Sequence, residues 1–241
     1  MIIPAGKERK HSPDPFLVRQ ALQVLIAARR ISDCAVHADL VQNFTNCALF
    51  PEEAAAVAKA APARLATFRA GRGCARAALK QLGCAETEIT MDSSGAPIWP
   101  RGFVGSIAHT NEIAVAIVAA SKAVKGLGLD IETDEPLDNA TMAQIVCRPE
   151  ELIERSDAAA PPNLGRGKLI FVIKEATYKL YQPLSGAFLE FHDLAVSLDE
   201  TAGTFRAGLT NPERPAVDSV RAFTGVFAAS QGLIITLTSL D

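Results

Sequence analysis

The sequence predicts an α+β fold, and three observations carry it. Apolar residues recur at helical spacing through the first third of the chain, a second helical stripe covers about 167 to 182, and short alternating apolar bursts fill the C-terminal quarter. At 241 residues, 49% hydrophobic and 21% charged, the chain has the balance of a folded protein with a real core, which excludes wholesale disorder. Helices and then strands occur on either side of residues 120–125, an order that admits two similar halves, although no repeat is visible residue by residue.

The elements follow in order. After the punctuation at Pro13 and Pro15, Leu17, Ala21, Leu22, Leu25 and Ile26 predict a helix over about 16–30, then a loop or short strand. Pro51-Glu52-Glu53 reads as a helix start, with proline in the first turn and carboxylates at the positive end of the helix dipole. Pro62 is expected to end or kink it. Helical periodicity resumes at RLATFRAGRGCARAALKQLG and stops at Gly83, with Gly71 and Gly73 weakening the first half, so the firm helix is about 72–82. Residues 90–112 read as a long irregular approach to two strands, 112–120 and 127–132. The loop-like DAAAPPNLGRG precedes the helix over 167–182, and FLEFHDLAVSL, TFRAGL, AFTGVFAA and LIITLTSL predict a small antiparallel sheet.

Charge and cysteine usage narrow the class. The 24 basic and 27 acidic side chains leave a net charge of −3, which argues against a general nucleic-acid coat. Five cysteines without a C-x-x-C pair suggest neither a zinc site nor a disulfide framework. No signal-peptide core precedes the early charges, and the apolar run Ile113 to Ala120 is far short of a bilayer span, so a soluble, cytoplasmic setting is expected.

Four places hold chemistry-bearing side chains. On a strand, Leu127, Leu129 and Ile131 of GLGLDIET enter the core while Asp130 and Glu132 share the other face. Paired carboxylates repel, and a divalent cation keeps both ionised; oxygen-only ligands favour magnesium over zinc. A solvated strand edge is the plainer reading. In KLIFVIKEATYKLYQ, Leu169, Val172, Ile173, Ala176 and Leu180 form a buried stripe. That leaves Lys174, Glu175 and Lys179 on the flanks and outer face, either as an ordinary i, i+4 ion pair or as a carboxylate and two phosphate-binding lysines. His109, beside Ser106 and Thr110, sits where a phosphate could be bound or where a structural histidine would serve. Arg69, Arg72, Arg76 and Lys80 fall on one helix face, solvated or aimed at an anionic ligand.

Taken in order, WPRGFVGSIAHT, GLDIE and FVIKEATYK resemble the 4'-phosphopantetheinyl transferases of the surfactin and enterobactin synthetase type. FRAGRGCARAALKQLG and LYQPLSGAFLEFHDLAV are most similar to the enterobactin-associated branch; the likeness runs from about Arg69 to Val196. This resemblance implies two α/β halves related by a pseudo-twofold, each with a small mainly antiparallel sheet on helices, and a cleft between them. Residues 1–122 would supply coenzyme A contacts and 123–241 the metal and catalytic groups. It implies transfer of the 4'-phosphopantetheine arm from coenzyme A to a serine of an apo acyl, peptidyl or aryl carrier protein, releasing adenosine 3',5'-bisphosphate. Nonribosomal peptide, polyketide and siderophore assembly lines are the implied settings. Asp130, Glu132 and Glu175 would hold magnesium and Glu175 would act as general base, with a metal-bound water as the other candidate. Lys174, Lys179, His109, Arg72 and Arg76 would contact coenzyme A. Ala96, Ala108 and Val172 depart from residues common in such proteins, and none of the three is an expected metal ligand. The rival readings are a magnesium-dependent phosphohydrolase and a non-catalytic module that binds coenzyme A or a carrier protein.

Overall fold

Asp14 caps the first helix: its carboxylate accepts from the Phe16 amide at 2.9 Å, and Pro15 fills the first turn. Helix α1 therefore runs Pro15–Arg29 in the computed structural model, which describes residues 12–152 and 164–241. Its Val18, Leu22 and Leu25 are buried at the expected spacing. The next segment is a full strand, β1 (Cys34–Leu40), and α2 (Pro51–Ala56) starts at the predicted proline. Pro62 opens a helix rather than ending one, because α2 has already stopped at Ala56.

Helix α3 (Pro62–Gln81) passes unbroken through Gly71 and Gly73, against expectation. Both glycines are contact points. A Cβ at Gly71 would come within 2.8 Å of Ile107, and one at Gly73 within 2.3 Å of Phe44. Close packing thus outweighs a helix-propensity cost of about 1 kcal/mol at each position. Gly83, at φ 75°, is the predicted stop.

The stretch read as irregular contains the hairpin β2 (Thr90–Met91) and β3 (Pro97–Ile98), then a seven-residue strand, β4 (Phe103–His109). The two apolar runs are strands as expected, β5 (Ile113–Ala120) and β6 (Gly126–Thr133). Short helices α4 (Ala140–Val146) and α5 (Pro149–Leu152) precede α6 (Leu164–Ser185), which outruns its predicted bounds at both ends. Part of the expected loop before α6, residues 157–163, lies outside the described residues, as does the start of the chain through His11. The C-terminal bursts form β7 (Leu194–Asp199), β8 (Thr204–Leu209), β9 (Ala222–Ser230) and β10 (Leu233–Leu240).

Besides the β2–β3 hairpin, the described residues form two larger antiparallel sheets, ordered β1-β5-β4 and β6-β10-β9-β8-β7. In each, the first strand pairs with the last, and the last with the strand before it. One long helix packs on each sheet, α3 on the first and α6 on the second. The halves share a core in which Val18 and Leu22 of α1 meet Leu129, Ile131 and Leu237. Arg29 seals this junction, donating to the Ser239 hydroxyl at 2.9 Å and to the Thr224 hydroxyl at 3.0 Å.

The structure also exposes a repeat that the residue-by-residue reading passes over. Pro51-Glu52-Glu53 and Pro149-Glu150-Glu151 each open a short helix, and each second glutamate is almost wholly buried. Glu53 accepts from the Phe50 amide, the Ile89 amide and Arg76, 23 residues on. Glu151 accepts from the Arg148 amide, the Val196 amide and Lys174, also 23 residues on. The same clamp therefore ties a short helix to the long one in both halves. Among the described residues no helix is long and apolar enough to cross a membrane.

Candidate active site

A cleft of about 390 Å³ opens where the two halves meet, lined by residues of α3, the β2–β3 hairpin, β4, β6 and α6. Strand alternation sets its acidic side: Leu129 and Ile131 are fully buried in the core, while Asp130 and Glu132 line the cleft. Gly128 lets α6 lie directly on this strand, since a Cβ there would come within 2.0 Å of the Ala176 carbonyl oxygen. The apolar stripe of α6 packs inward as predicted, and Glu175, Tyr178, Lys179 and Gln182 face the cleft.

Charges in the cleft are arranged in opposition. Lys179 Nζ donates to Asp130 Oδ1 at 2.6 Å, and Lys168 Nζ donates to Glu132 Oε2 at 3.2 Å while lying 5.4 Å from the Phe171 ring centre. Burial pushes the Asp130 carboxyl above the ordinary carboxylate range, Lys179 opposes that shift, and Glu132 reinforces it. Burial raises Glu175 too, and the Asp130 and Glu132 charges add to the effect against Lys179. No described residue donates a hydrogen bond to the Glu175 carboxylate, which combines raised proton affinity with a position facing the cleft. Such an all-oxygen donor set suits a hard divalent cation. With two of the acids turned to lysines, no three metal-ligating side chains among the described residues are gathered closely enough to hold an ion.

The opposite wall is basic. Arg64 Nη1 donates to His109 Nε2 at 3.1 Å, which leaves the imidazole proton on Nδ1 because a guanidinium cannot accept. Burial, with Arg64 and Lys179 nearby, pushes His109 down to about 4, so it is neutral at pH 7. Arg72 is 5% exposed, lies 4.5 Å from the Phe68 ring centre and donates to the Thr90 carbonyl at 3.5 Å. Its Nε has no partner, and burial lowers it to about 10, which still leaves it cationic.

The cleft thus brings together six residues singled out from the sequence: Asp130, Glu132, Glu175, Lys179, His109 and Arg72. It does not take in Lys174 or Arg76. Lys174, expected on the flanks and outer face of its helix, is 1% exposed and bound to Glu151 Oε2 at 2.8 Å and the Val146 carbonyl at 3.0 Å. Arg76 pairs with Glu53, lies over the Phe50 ring and donates to the Ala48 carbonyl at 2.7 Å. Both are clamp residues. The four-cation face divides further, since Arg69 donates to the Thr45 carbonyl. Ser106 accepts from the Leu129 amide, and Thr110 accepts from the amides of Glu112 and Ile113. Sequence reasoning missed Arg64 and Lys168. Arg64, Phe68 and Arg72 share one helix face at steps of four, a signal present in the sequence.

Comparison with known proteins adds an independent finding. Residues 52–119 match the family model for the 4'-phosphopantetheinyl transferase N-terminal domain, and residues 126–229 match that for the 4'-phosphopantetheinyl transferase superfamily. The chain is 40% identical over 190 residues to 4'-phosphopantetheinyl transferase Svp of Streptomyces mobaraensis, covering 78% of this chain and 77% of that one. It is 32% identical over 209 residues to 4'-phosphopantetheinyl transferase Npt of Nocardia iowensis, covering 83% and 92%. A solved holo-(acyl-carrier-protein) synthase from Bacillus anthracis, in complex with CoA (3',5'-ADP), is similar over 36% of this chain and 94% of its own, at 23% identity and a TM-score of 0.33.

Proposed function

This chain belongs to the 4'-phosphopantetheinyl transferase superfamily and is an enzyme of that type; from that premise we propose how its cleft performs the transfer. The serine hydroxyl of an apo carrier protein attacks the pyrophosphate phosphorus of coenzyme A that bears the pantetheine arm. The new serine–phosphorus bond forms as the bond to the adenosine-bearing phosphate breaks, and adenosine 3',5'-bisphosphate leaves. Glu175 takes the serine proton, a role supported by its raised proton affinity and its position facing the cleft.

Asp130, Glu132 and Glu175 are the residues that would hold magnesium once the Lys179 and Lys168 ion pairs give way, since with those pairs made the three are not gathered closely enough to hold an ion; when bound, the metal supplies charge neutralisation to the pyrophosphate oxygens. Lys179 and Arg72 meet phosphate charge from the two sides of the cleft, and Arg64 with neutral His109 extends the basic wall. The observation that carries the proposal is this opposition: three carboxylates of β6 and α6 facing a buried, partly unpartnered arginine on α3 across one cleft. Likeness to the enterobactin-associated branch supports a siderophore carrier as an acceptor to try first, in a cytoplasmic setting.

Intact-mass measurement of an apo carrier protein, after incubation with coenzyme A and magnesium, tests the proposal. The expected result is one added phosphopantetheine, abolished by a chelator. Release of adenosine 3',5'-bisphosphate without modification of any acceptor would point instead to hydrolysis.

A further inference from the structure

The β2–β3 hairpin crosses from one half of the molecule to the other. Its base belongs to the first half, where Arg72 donates to the Thr90 carbonyl and the Ile89 amide donates to Glu53 at 3.0 Å. Its tip is organised by Asp92, whose Oδ1 accepts from the Ser94 amide at 2.8 Å, the Ser94 hydroxyl at 2.5 Å and the Ala96 amide at 3.0 Å. That leaves the Ser94 oxygen as an acceptor, and Gln182 Nε2 on α6, 88 residues away, donates to it at 2.8 Å. Among the described residues this is the only hydrogen bond between the hairpin tip and α6.

The two ends of this bond are built differently. Gln182 is 9% exposed and sits on α6 two turns beyond Glu175, so the helix that carries the candidate base also fixes its amide. Ser94 is exposed, on a hairpin whose strands are only two residues each. Met91, Ser94, Gly95, Ala96 and Pro97 of the hairpin all line the cleft. A wall with little sheet structure of its own is thus tied to α6 by one hydrogen bond among the described residues.

We propose that Gln182 and Ser94 form a latch that holds the hairpin across the cleft and slows release of coenzyme A. The proposal rests on the reading that this cleft binds coenzyme A. Gln182 and Ser94 are positioning residues here, acting on the ligand through the hairpin wall. A single net hydrogen bond corresponds to roughly a 3- to 10-fold change in a rate or equilibrium governed by it.

The test is the dissociation rate of a fluorescent coenzyme A analogue, chased with unlabelled coenzyme A in stopped flow, together with steady-state kinetics on an apo carrier. Gln182→Leu and Ser94→Ala are each expected to release the analogue about 3- to 10-fold faster and to raise KM for coenzyme A more than they lower kcat. The double variant is expected to be no worse than either single variant, and Ser94→Thr, which keeps the hydroxyl, to release near the wild-type rate. Thermal midpoints within a few degrees of wild type confirm that the variants are folded. Release at the wild-type rate in both single variants, from a protein that binds and transfers normally, overturns the latch alone. Faster release in Gln182→Leu but not in Ser94→Ala also overturns it, because Gln182 then acts on the ligand directly. Failure of the wild-type protein to bind coenzyme A overturns the underlying reading and the latch with it.

Discussion

Lys174 Nζ lies 2.8 Å from Glu151 Oε2 in a pair of side chains each 1% exposed, one residue before the carboxylate proposed as the base. The pair faces away from the cleft that Glu175 lines. Burial lowers the Lys174 ammonium from its usual range and the Glu151 charge opposes that shift, so the lysine is a buried cation held by one carboxylate and one carbonyl.

Removing one partner of this pair strands the other. Glu151→Ala is expected to destabilise the protein by about 3–5 kcal/mol, whereas Glu151→Leu combined with Lys174→Met removes both charges and recovers only part of that loss, because the Arg148 and Val196 amides stay without the acceptor Glu151 gave them. Urea unfolding of the three proteins measures it. A double variant no more stable than Glu151→Ala would contradict the clamp.

Glu175→Gln and Asp130→Asn keep shape and remove charge from the two elements that form the acidic side of the cleft, α6 and β6. Each is expected to lower transfer by about 10²–10⁴-fold, the range for loss of a general base or comparable charged catalytic group. Near-ultraviolet circular dichroism should be unchanged. Turnover within a few-fold of wild type in either would remove that residue from the mechanism.

His109 makes stability depend on pH in a defined window. Its folded value of about 4 lies below the ordinary 6.5, so between those values the unfolded chain binds a proton that the native state refuses. Native stability therefore falls as pH drops from 6.5 toward 4 and is unaffected by this group above 6.5. At pH 5 the loss amounts to about 2 kcal/mol relative to pH 7. His109→Asn should flatten that part of the profile, as read from unfolding midpoints at pH 5 and 7.

Gly128→Ala places a methyl group where the Ala176 carbonyl lies. An overpacking cost of about 1–3 kcal/mol is expected, and because α6 must move off β6, Glu175 moves relative to Asp130. Turnover of the folded fraction, counted by coenzyme A binding stoichiometry, should fall along with stability. Full turnover at reduced stability would show that the spacing between the two carboxylates is not critical.

What could be read from the sequence divides along physical lines. The α1 helix and the stripe of α6 were legible because their apolar spacing reports burial directly, and strand alternation placed Asp130 and Glu132 beside each other for the same reason. The hairpin at 90–98 was not, since two-residue strands among glycines and prolines have no period to detect. Gly71 and Gly73 read as helix weakness because propensity is local, whereas the demand for small residues comes from Ile107 and Phe44, 36 and 29 positions away. Arg64 lies on that same first half of α3. Lys174 and Arg76 were misplaced because a buried cation looks like a surface one until its carboxylate is found. The matching Pro-Glu-Glu segments, each followed after 23 residues by a base, were the available clue.

The α1 helix belongs by chain order to the first half, yet it buries its apolar face partly on strands of the second, with Arg29 bonded to Ser239. Neither fragment made by opening the chain in the 121–125 turn keeps that face covered by itself. Expressed separately, the two pieces would be inert and poorly folded, and would regain activity on meeting, so fusing each to one member of an interacting pair turns the enzyme into a complementation reporter.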